Sequence, residues 1–188
     1  VSELPPEGNV LISLIEGGTD LLRVRSSDKG EWLEAKVGTV LKQGHEILAN
    51  PDSTVSLLFA DGAKVLIEPN GQIKIASYFT KGGTVQTELL LKDGQVSVEI
   101  EKEKVNQSDF KIRTSTAVAT LRGNRFTMKY DNDTKESIVS VYEGTANVSA
   151  KKPWYLFWKK AAAFELSAGQ KATISKKRNI KVDILYTQ

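Results

Sequence analysis

The 188 residues contain no cysteine, a single histidine and a single methionine. Without cysteine, disulfides, thiolate nucleophiles and cysteine-ligated metals are excluded. With His45 as the only histidine, no multi-histidine metal site can form, and any Ser-His-Asp triad would have to use that one ring. No run of about 18 apolar residues offers a membrane span, and nothing reads as a signal peptide. If the chain belongs to a cell envelope, it is the trimmed, soluble part of such a protein. A concentrated basic excess is also missing: 26 Lys and Arg stand against 23 Asp and Glu, a net of +3 that is too even for a nucleic-acid binder. Helical periodicity is almost absent.

What is present is alternation. Hydrophobic residues make up 40% of the chain, enough for a full core at this length. They recur at spacing two, as in Val55-Leu57-Phe59, Val96-Val98-Ile100 and Phe126-Met128-Tyr130, which suits strands with one buried face. Residues Glu31 to Val37 are expected to carry Trp32 and Leu33 toward the core. Glycine turn pairs punctuate the chain at short intervals: Gly17-Gly18, Asp61-Gly62, Asn70-Gly71, Asp93-Gly94, Glu143-Gly144 and Ala168-Gly169 among them. Asp-Gly and Asn-Gly tolerate the positive φ of tight hairpins, so Asp93-Gly94 predicts a hairpin between Leu89-Leu91 and Val96-Ile100. Phe110 to Tyr130 reads as three short strands, the last two separated by Arg122-Gly123-Asn124. The chain is therefore read as all-β, with many short antiparallel strands in a two-layer sandwich or solenoid-like β stack. Residues 1–9, with two prolines, form a tail or linker, and 10–188 form one domain.

Catalytic constellations are weak throughout. His45 reads as a solvated turn residue. Ser26 to Lys29 and Ser108 to Lys111 match Ser-x-x-Lys, but the chemistry that uses this spacing needs a helix, and a strand sends i and i+3 to opposite faces. Glu99, Glu101 and Glu103, two apart, read as one solvated strand face rather than a cleft with paired acids. Asp131-Asn132-Asp133 resembles the start of a calcium loop but lacks its later glycine and glutamate, and reads as a hairpin turn. The basic clusters Lys151-Lys152, Lys159-Lys160 and Lys176-Lys177-Arg178 read as solvated turns. No enzyme activity, cofactor or metal follows from these residues.

One segment breaks the alternation. Lys151 to Lys160, KKPWYLFWKK, sets five apolar residues in a row between paired lysines. Trp154, Tyr155, Phe157 and Trp158 are the candidate partner-binding residues. Their rings either cover an open end of the β core or form an exposed anchor for a protein, a glycan or a membrane surface.

The ordered motifs resemble the FecR-like domain, a bacterial extracytoplasmic β-domain family, over about residues 37–174. They run from Leu41-x-x-Gly44 with Ile47 through Leu57-x-Phe59-x-Asp61-Gly62, Pro69-Asn70 and Leu91-x-x-Gly94. The stretch Phe110-x-Ile112-x-Thr114 through Ala117 to Arg122-Gly123-x-x-Phe126 follows, then Val139, Val141, Gly144 and Val148, and Leu166-x-x-Gly169-Gln170 closes the set. The chain departs from the family's usual residues at His45, Ala49, Ser115 and Asn124. The resemblance implies a non-enzymatic periplasmic or cell-surface domain that senses or binds, as the extracytoplasmic part of a sigma-factor regulator. Such regulators join this domain to a membrane span and a cytoplasmic anti-sigma segment, and the implied partner is an envelope protein such as an outer-membrane receptor. The alternative is a glycan- or peptidoglycan-binding module of the envelope, suggested by Trp154, Tyr155 and Trp158. Nucleic acid is not an expected partner.

Overall fold

A computed structural model describes residues 4–18, 22–151 and 163–185. Its strands are β1 (Val10–Gly17), β2 (Leu22–Arg25), β3 (Leu33–Ala35), β4 (Val40–Leu41), β5 (Glu46–Leu48), β6 (Ser53–Phe59), β7 (Lys64–Ile67) and β8 (Gln72–Lys81). Then come β9 (Thr84–Glu99), β10 (Ser108–Arg113), β11 (Ala117–Asp131), β12 (Glu136–Ala150), β13 (Ala163–Ser167), β14 (Gln170–Ile174) and β15 (Ile180–Ile184). They form one mixed sheet that is not closed into a barrel. The all-β expectation holds, and the pairings show how one sheet makes two layers.

The long strands β9, β11 and β12 each change neighbours halfway along. Residues 84–93 of β9 pair with β8 and residues 85–90 with β10, whereas residues 94–99 pair with β11 and 96–99 with β7. Likewise β12 pairs with β14 through residues 137–141 and with β13 through residues 145–149. One layer therefore runs β3-β2-β5-β8, the first half of β9, β10, the first half of β11, the second half of β12, and β13. The other runs β4-β1-β6-β7, the second halves of β9 and β11, the first half of β12, β14 and β15.

Glycines make the corners. Gly94 has φ +85°, and a Cβ there would lie 2.7 Å from the Gly71 Cα on the neighbouring strand path. Gly144 has φ +91°, and its Cβ would lie 2.2 Å from the Gly123 Cα. Side chains at these crossings would push two backbones apart. The expected Asp93-Gly94 hairpin is thus a bend inside a continuous strand, and Glu143-Gly144 is another. The two strands expected on either side of Arg122-Gly123-Asn124 are one strand, with register breaks between Arg122 and Phe126. A glycine that permits positive φ serves a corner as well as a hairpin, and sequence spacing does not distinguish the two.

The corners lie at opposite ends. With the Gly94 corner taken as the upper end, the N-terminal half, through β9, folds over the top, and the C-terminal half, from β11 through β14, folds over the bottom at Gly123, Gly144 and Gly169. This geometry also explains the parallel pairing of β9 with β10. A strand that has folded over returns to its starting end, so the next strand in the first layer must run alongside it. Each half is left with one open end, the lower for the N-terminal half and the upper for the C-terminal half.

The inner faces meet in one core that includes Val10, Ile47, Leu57, Ile75, Leu89, Val98, Phe126, Val141 and Ile174. Burying each large aliphatic side chain contributes about 1.5–3 kcal/mol. The expected core role of Leu33 is not realised. It is 66% exposed, and Ala35 is the residue of β3 that is buried. Trp32 instead lies under Arg25, whose guanidinium carbon is 4.6 Å from the ring centroid.

Candidate interaction surface

The two open ends differ in chemistry. At the lower end, the last core position of β6, Phe59, packs edge-on against Tyr78 of β8 and Phe110 of β10, with centroids 5.2 and 5.9 Å away. These contacts cross from one layer to the other and fill the end with rings. The Tyr78 hydroxyl accepts the Ala60 N–H at 2.8 Å, and Ser108 donates to Asp61 at 2.7 Å. The β6–β7 hairpin at Asp61-Gly62, read correctly from the sequence, is tied in this way to β8 and β10. Burial pushes the Tyr78 phenol up to about 12, with the nearby Asp61 and Glu7 charges acting in the same direction.

At the upper end, hydroxyls stand where the lower end has rings. The turn from β10 to β11 is Thr114-Ser115-Thr116. The Thr114 Oγ1 accepts the N–H groups of Thr116 and Ala117 at 3.1 and 3.0 Å, a local bond that holds the turn. Ser137 Oγ, on the facing layer, lies 2.7 Å from Thr114 Oγ1 and 2.8 Å from Thr116 Oγ1. All three side chains are buried, so each hydroxyl satisfies another. Ser115 hydrogen-bonds the Tyr130 hydroxyl.

Beside this turn lies a cavity of about 470 Å³. Gln72 lines it from the start of β8, Leu90, Leu91, Lys92 and Asp93 from the upper corner of β9, Thr114 and Ser115 from the turn, Tyr130 from β11, Asn132 from the turn after β11, and Lys151 from just past β12. Its lining combines leucines with hydroxyls, two amides, a carboxylate and two lysines. Such a cavity suits the binding of a mixed polar and apolar group. Phe164 of β13, on the strand that starts at this end, is 44% exposed. It sits opposite the buried Val148 and so projects to the inner side of its layer.

An ion cluster borders the cavity. The fully buried Glu46 side chain accepts from Arg25 at 2.9 and 2.6 Å, from Gln72 at 2.5 Å and from Lys92 at 2.9 Å. Burial alone would raise the Glu46 carboxyl, but the bonds from Lys92, Arg25 and Gln72 outweigh it and hold the group below its ordinary value. Lys92 and Lys74 also hold Asp28, at 3.2 and 2.5 Å, and their bonds lower its carboxyl to about 2. The loop after β2 is thereby fastened across β8 and β9, and Lys92 is positioned at the cavity rim. A further cleft of about 530 Å³ lies across β9, β10 and β11. Its Lys111 is 3.4 Å from Asp109 in the same cleft, so these charges pair with each other.

The candidate residues named from the sequence fall in several places. Trp154, Tyr155, Phe157 and Trp158 lie outside the described residues; the segment that holds them follows Lys151 at the cavity rim. His45 sits in the turn before β5 and is partly buried rather than solvated, with its Nδ1 out of contact with solvent. Burial lowers its imidazole below the ordinary value, with Lys42 adding to the effect. Ser108 and Lys111 are on β10, where their faces differ. The acidic strand face is not formed: β9 ends at Glu99, and Glu103 lies in the 3-10 turn Lys102–Gln107. Asp131 builds the expected turn, accepting the N–H groups of Asp133 and Thr134 at 2.8 and 2.9 Å. The sequence gives no sign that Tyr130, Ser115 and Lys92 share a cavity, because each fits an ordinary strand or turn position. The run of three hydroxyl residues at 114–116 was the available signal.

Comparison with known proteins bears on this arrangement. No curated protein matches the sequence. Two crystal structures of a candidate anti-sigma factor from Parabacteroides distasonis share the fold at TM-score 0.58 and 17% identity, over 74% of this chain and 59% of that one. The chain thus spans about three fifths of the length of the solved protein. The sequence model described as FecR protein matches residues 45–147, from just before β5 to within β12. The match takes in the corners at Gly94, Gly123 and Gly144 and the hydroxyl turn at the upper end, and by it this chain belongs to the FecR family.

Proposed function

We propose that this chain is the non-enzymatic, extracytoplasmic sensing domain of a sigma-factor regulator, and that it binds an envelope protein through the upper end of its C-terminal half. The observation that carries the reading is the family match across residues 45–147. The fold shared with a candidate anti-sigma factor supports it. The chemistry of the upper end is in keeping with binding: a 470 Å³ cavity with Tyr130, Ser115, Lys92 and Lys151 around it, and Phe164 exposed nearby. A partner side chain entering such a cavity would bury apolar area on Leu90 and find hydroxyl and ammonium donors beside it. Trp154, Tyr155, Phe157 and Trp158 are proposed as partner-binding residues on their aromatic chemistry alone.

The regulator reading is tested by transcription. Total RNA is compared between the wild-type strain and a strain whose gene carries Trp154→Ala and Trp158→Ala, after circular dichroism has established that the purified variant is folded. The expected result is a coherent change in transcripts that share one alternative sigma-factor promoter. Unchanged transcripts in this strain and in a full deletion would contradict the reading.

A further inference from the structure

The last described strand, β15, lies beyond the region matched by the family. It closes one margin of its layer, and among the described strands only β14 pairs with it. The register with β14 sets Ile180 opposite Ile174, Val182 opposite Ala172 and Ile184 opposite Gln170. Ile174 and Ala172 are buried in the core. Ile180, Val182 and Ile184 therefore continue the core-facing side beyond the edge of the core, with Val182 40% and Ile184 69% exposed. Lys181 and Asp183 occupy the other face and pair at 3.1 Å.

The free hydrogen-bonding groups follow from the same register. Leu185 N–H donates to Gly169 at 2.7 Å, and Ser175 N–H donates to Asn179 at 3.1 Å. In an antiparallel pair the bonded positions alternate, so Asn179, Lys181, Asp183 and Leu185 exchange bonds with β14. The N–H and C=O groups of Ile180, Val182 and Ile184 point away from the sheet. This row is what an incoming strand would pair with.

We infer that β15 is a self-complementary edge on which a second copy of this chain pairs antiparallel about a two-fold axis through Val182. About that axis Val182 faces the partner's Val182, and Ile180 faces the partner's Ile184. Both are outward-bonding positions, so both form reciprocal backbone bonds. Lys181 faces the partner's Asp183, and Asp183 faces the partner's Lys181. Neighbouring choices of axis fail on charge: an axis through Lys181 sets lysine against lysine, and one through Asp183 sets aspartate against aspartate. Charge and hydrogen-bond direction select the same axis, and the apolar residues gather on one side of the ribbon.

The test measures self-association of the 188-residue chain by sedimentation equilibrium. The wild type is expected to form a dimer. Val182→Pro removes an N–H that points away from β14, so the fold keeps its ladder, and the dimer is expected to weaken by roughly 30-fold or more through loss of the bonds at the axis. Asp183→Lys sets like charges opposite each other and should also weaken the dimer. The double variant Lys181→Asp, Asp183→Lys restores opposite charges at both facing pairs and should recover it, an outcome that a general loss of stability would not give. Because the chain has no cysteine, Val182→Cys should oxidise to a covalent dimer, since directly bonded antiparallel positions lie about 5.5 Å apart at Cα, within disulfide reach. A chain that stays monomeric at millimolar concentration would overturn the proposal. So would a dimer that is insensitive to Val182→Pro and that Val182→Cys does not cross-link.

Discussion

The two open ends of the sandwich are solved in opposite ways. The lower end is closed by three rings, Phe59, Tyr78 and Phe110, from strands in both layers. The upper end has buried Thr114, Thr116 and Ser137 hydroxyls, a Ser115–Tyr130 pair and a cavity of about 470 Å³. Rings gain from leaving water in proportion to their area and leave little unsatisfied. Hydroxyls contribute less net stability and keep polar groups near the surface. The lower end is built for stability, and the upper end gives up some stability where the proposed binding surface lies.

The largest effects should come from the corners on which both ends depend. Gly144→Ala combines positive φ with a Cβ 2.2 Å from a neighbouring Cα, and is expected to cost more than about 3 kcal/mol in urea unfolding. Gly83→Ala, also at positive φ but with nothing within 4 Å, should cost only about 1 kcal/mol. Equal losses would mean that φ, and not the crossing of strands, explains the glycine. Next in size, Phe110→Ala at the closed end should cost about 3–5 kcal/mol.

Smaller changes separate the two ends more sharply. Tyr78→Phe leaves the Ala60 N–H without its acceptor and should cost about 1–3 kcal/mol. Tyr130→Phe removes a hydroxyl from a cavity that water can enter, and should cost less than about 1 kcal/mol in the same assay. A larger loss at Tyr130 would make the upper end structural too. The Tyr78 value also sets a pH dependence. The phenol is raised from 10 to about 12 in the fold, so its contribution is complete below about pH 10 and is lost as pH rises toward 12. Tyr78→Phe should flatten that alkaline limb. The smallest effect is acid. Asp28 is lowered from 3.8 to about 2, so its contribution is present above about pH 4 and disappears as pH falls through 2. Asp28→Asn should remove that part of the acid limb in thermal melts without changing the alkaline one.

The sequence makes some of this legible. Strict alternation at Val55-Leu57-Phe59, Val96-Val98-Ile100 and Phe126-Met128-Tyr130 gives the buried faces correctly, because spacing two is what a pleat requires. It does not reveal that β9, β11 and β12 each serve two layers. A bend and a hairpin both use a glycine at positive φ, and only long-range pairing tells them apart. Leu33 is exposed for a related reason: it lies on the core-facing side of β3, opposite Val24, but β3 is the margin of its layer and Leu33 falls beyond the edge of the core, which alternation does not reveal. Glu46 gives no sign of burial because its partners come from Arg25, Gln72 and Lys92, well apart in sequence. The cavity was hidden in the same way, since Leu90, Ser115 and Tyr130 come together only after the strands fold over.

The contrast between the two ends is tested most directly by photo-crosslinking in cells. A benzophenone-bearing phenylalanine analogue is placed at Asn132 or Phe164 at the upper end, and at Lys81, exposed at the end of β8, at the lower end. The account predicts cross-links to a distinct envelope protein from Asn132 and Phe164 and none from Lys81. Cross-links to such a protein from Lys81, with none from Asn132 or Phe164, would contradict it.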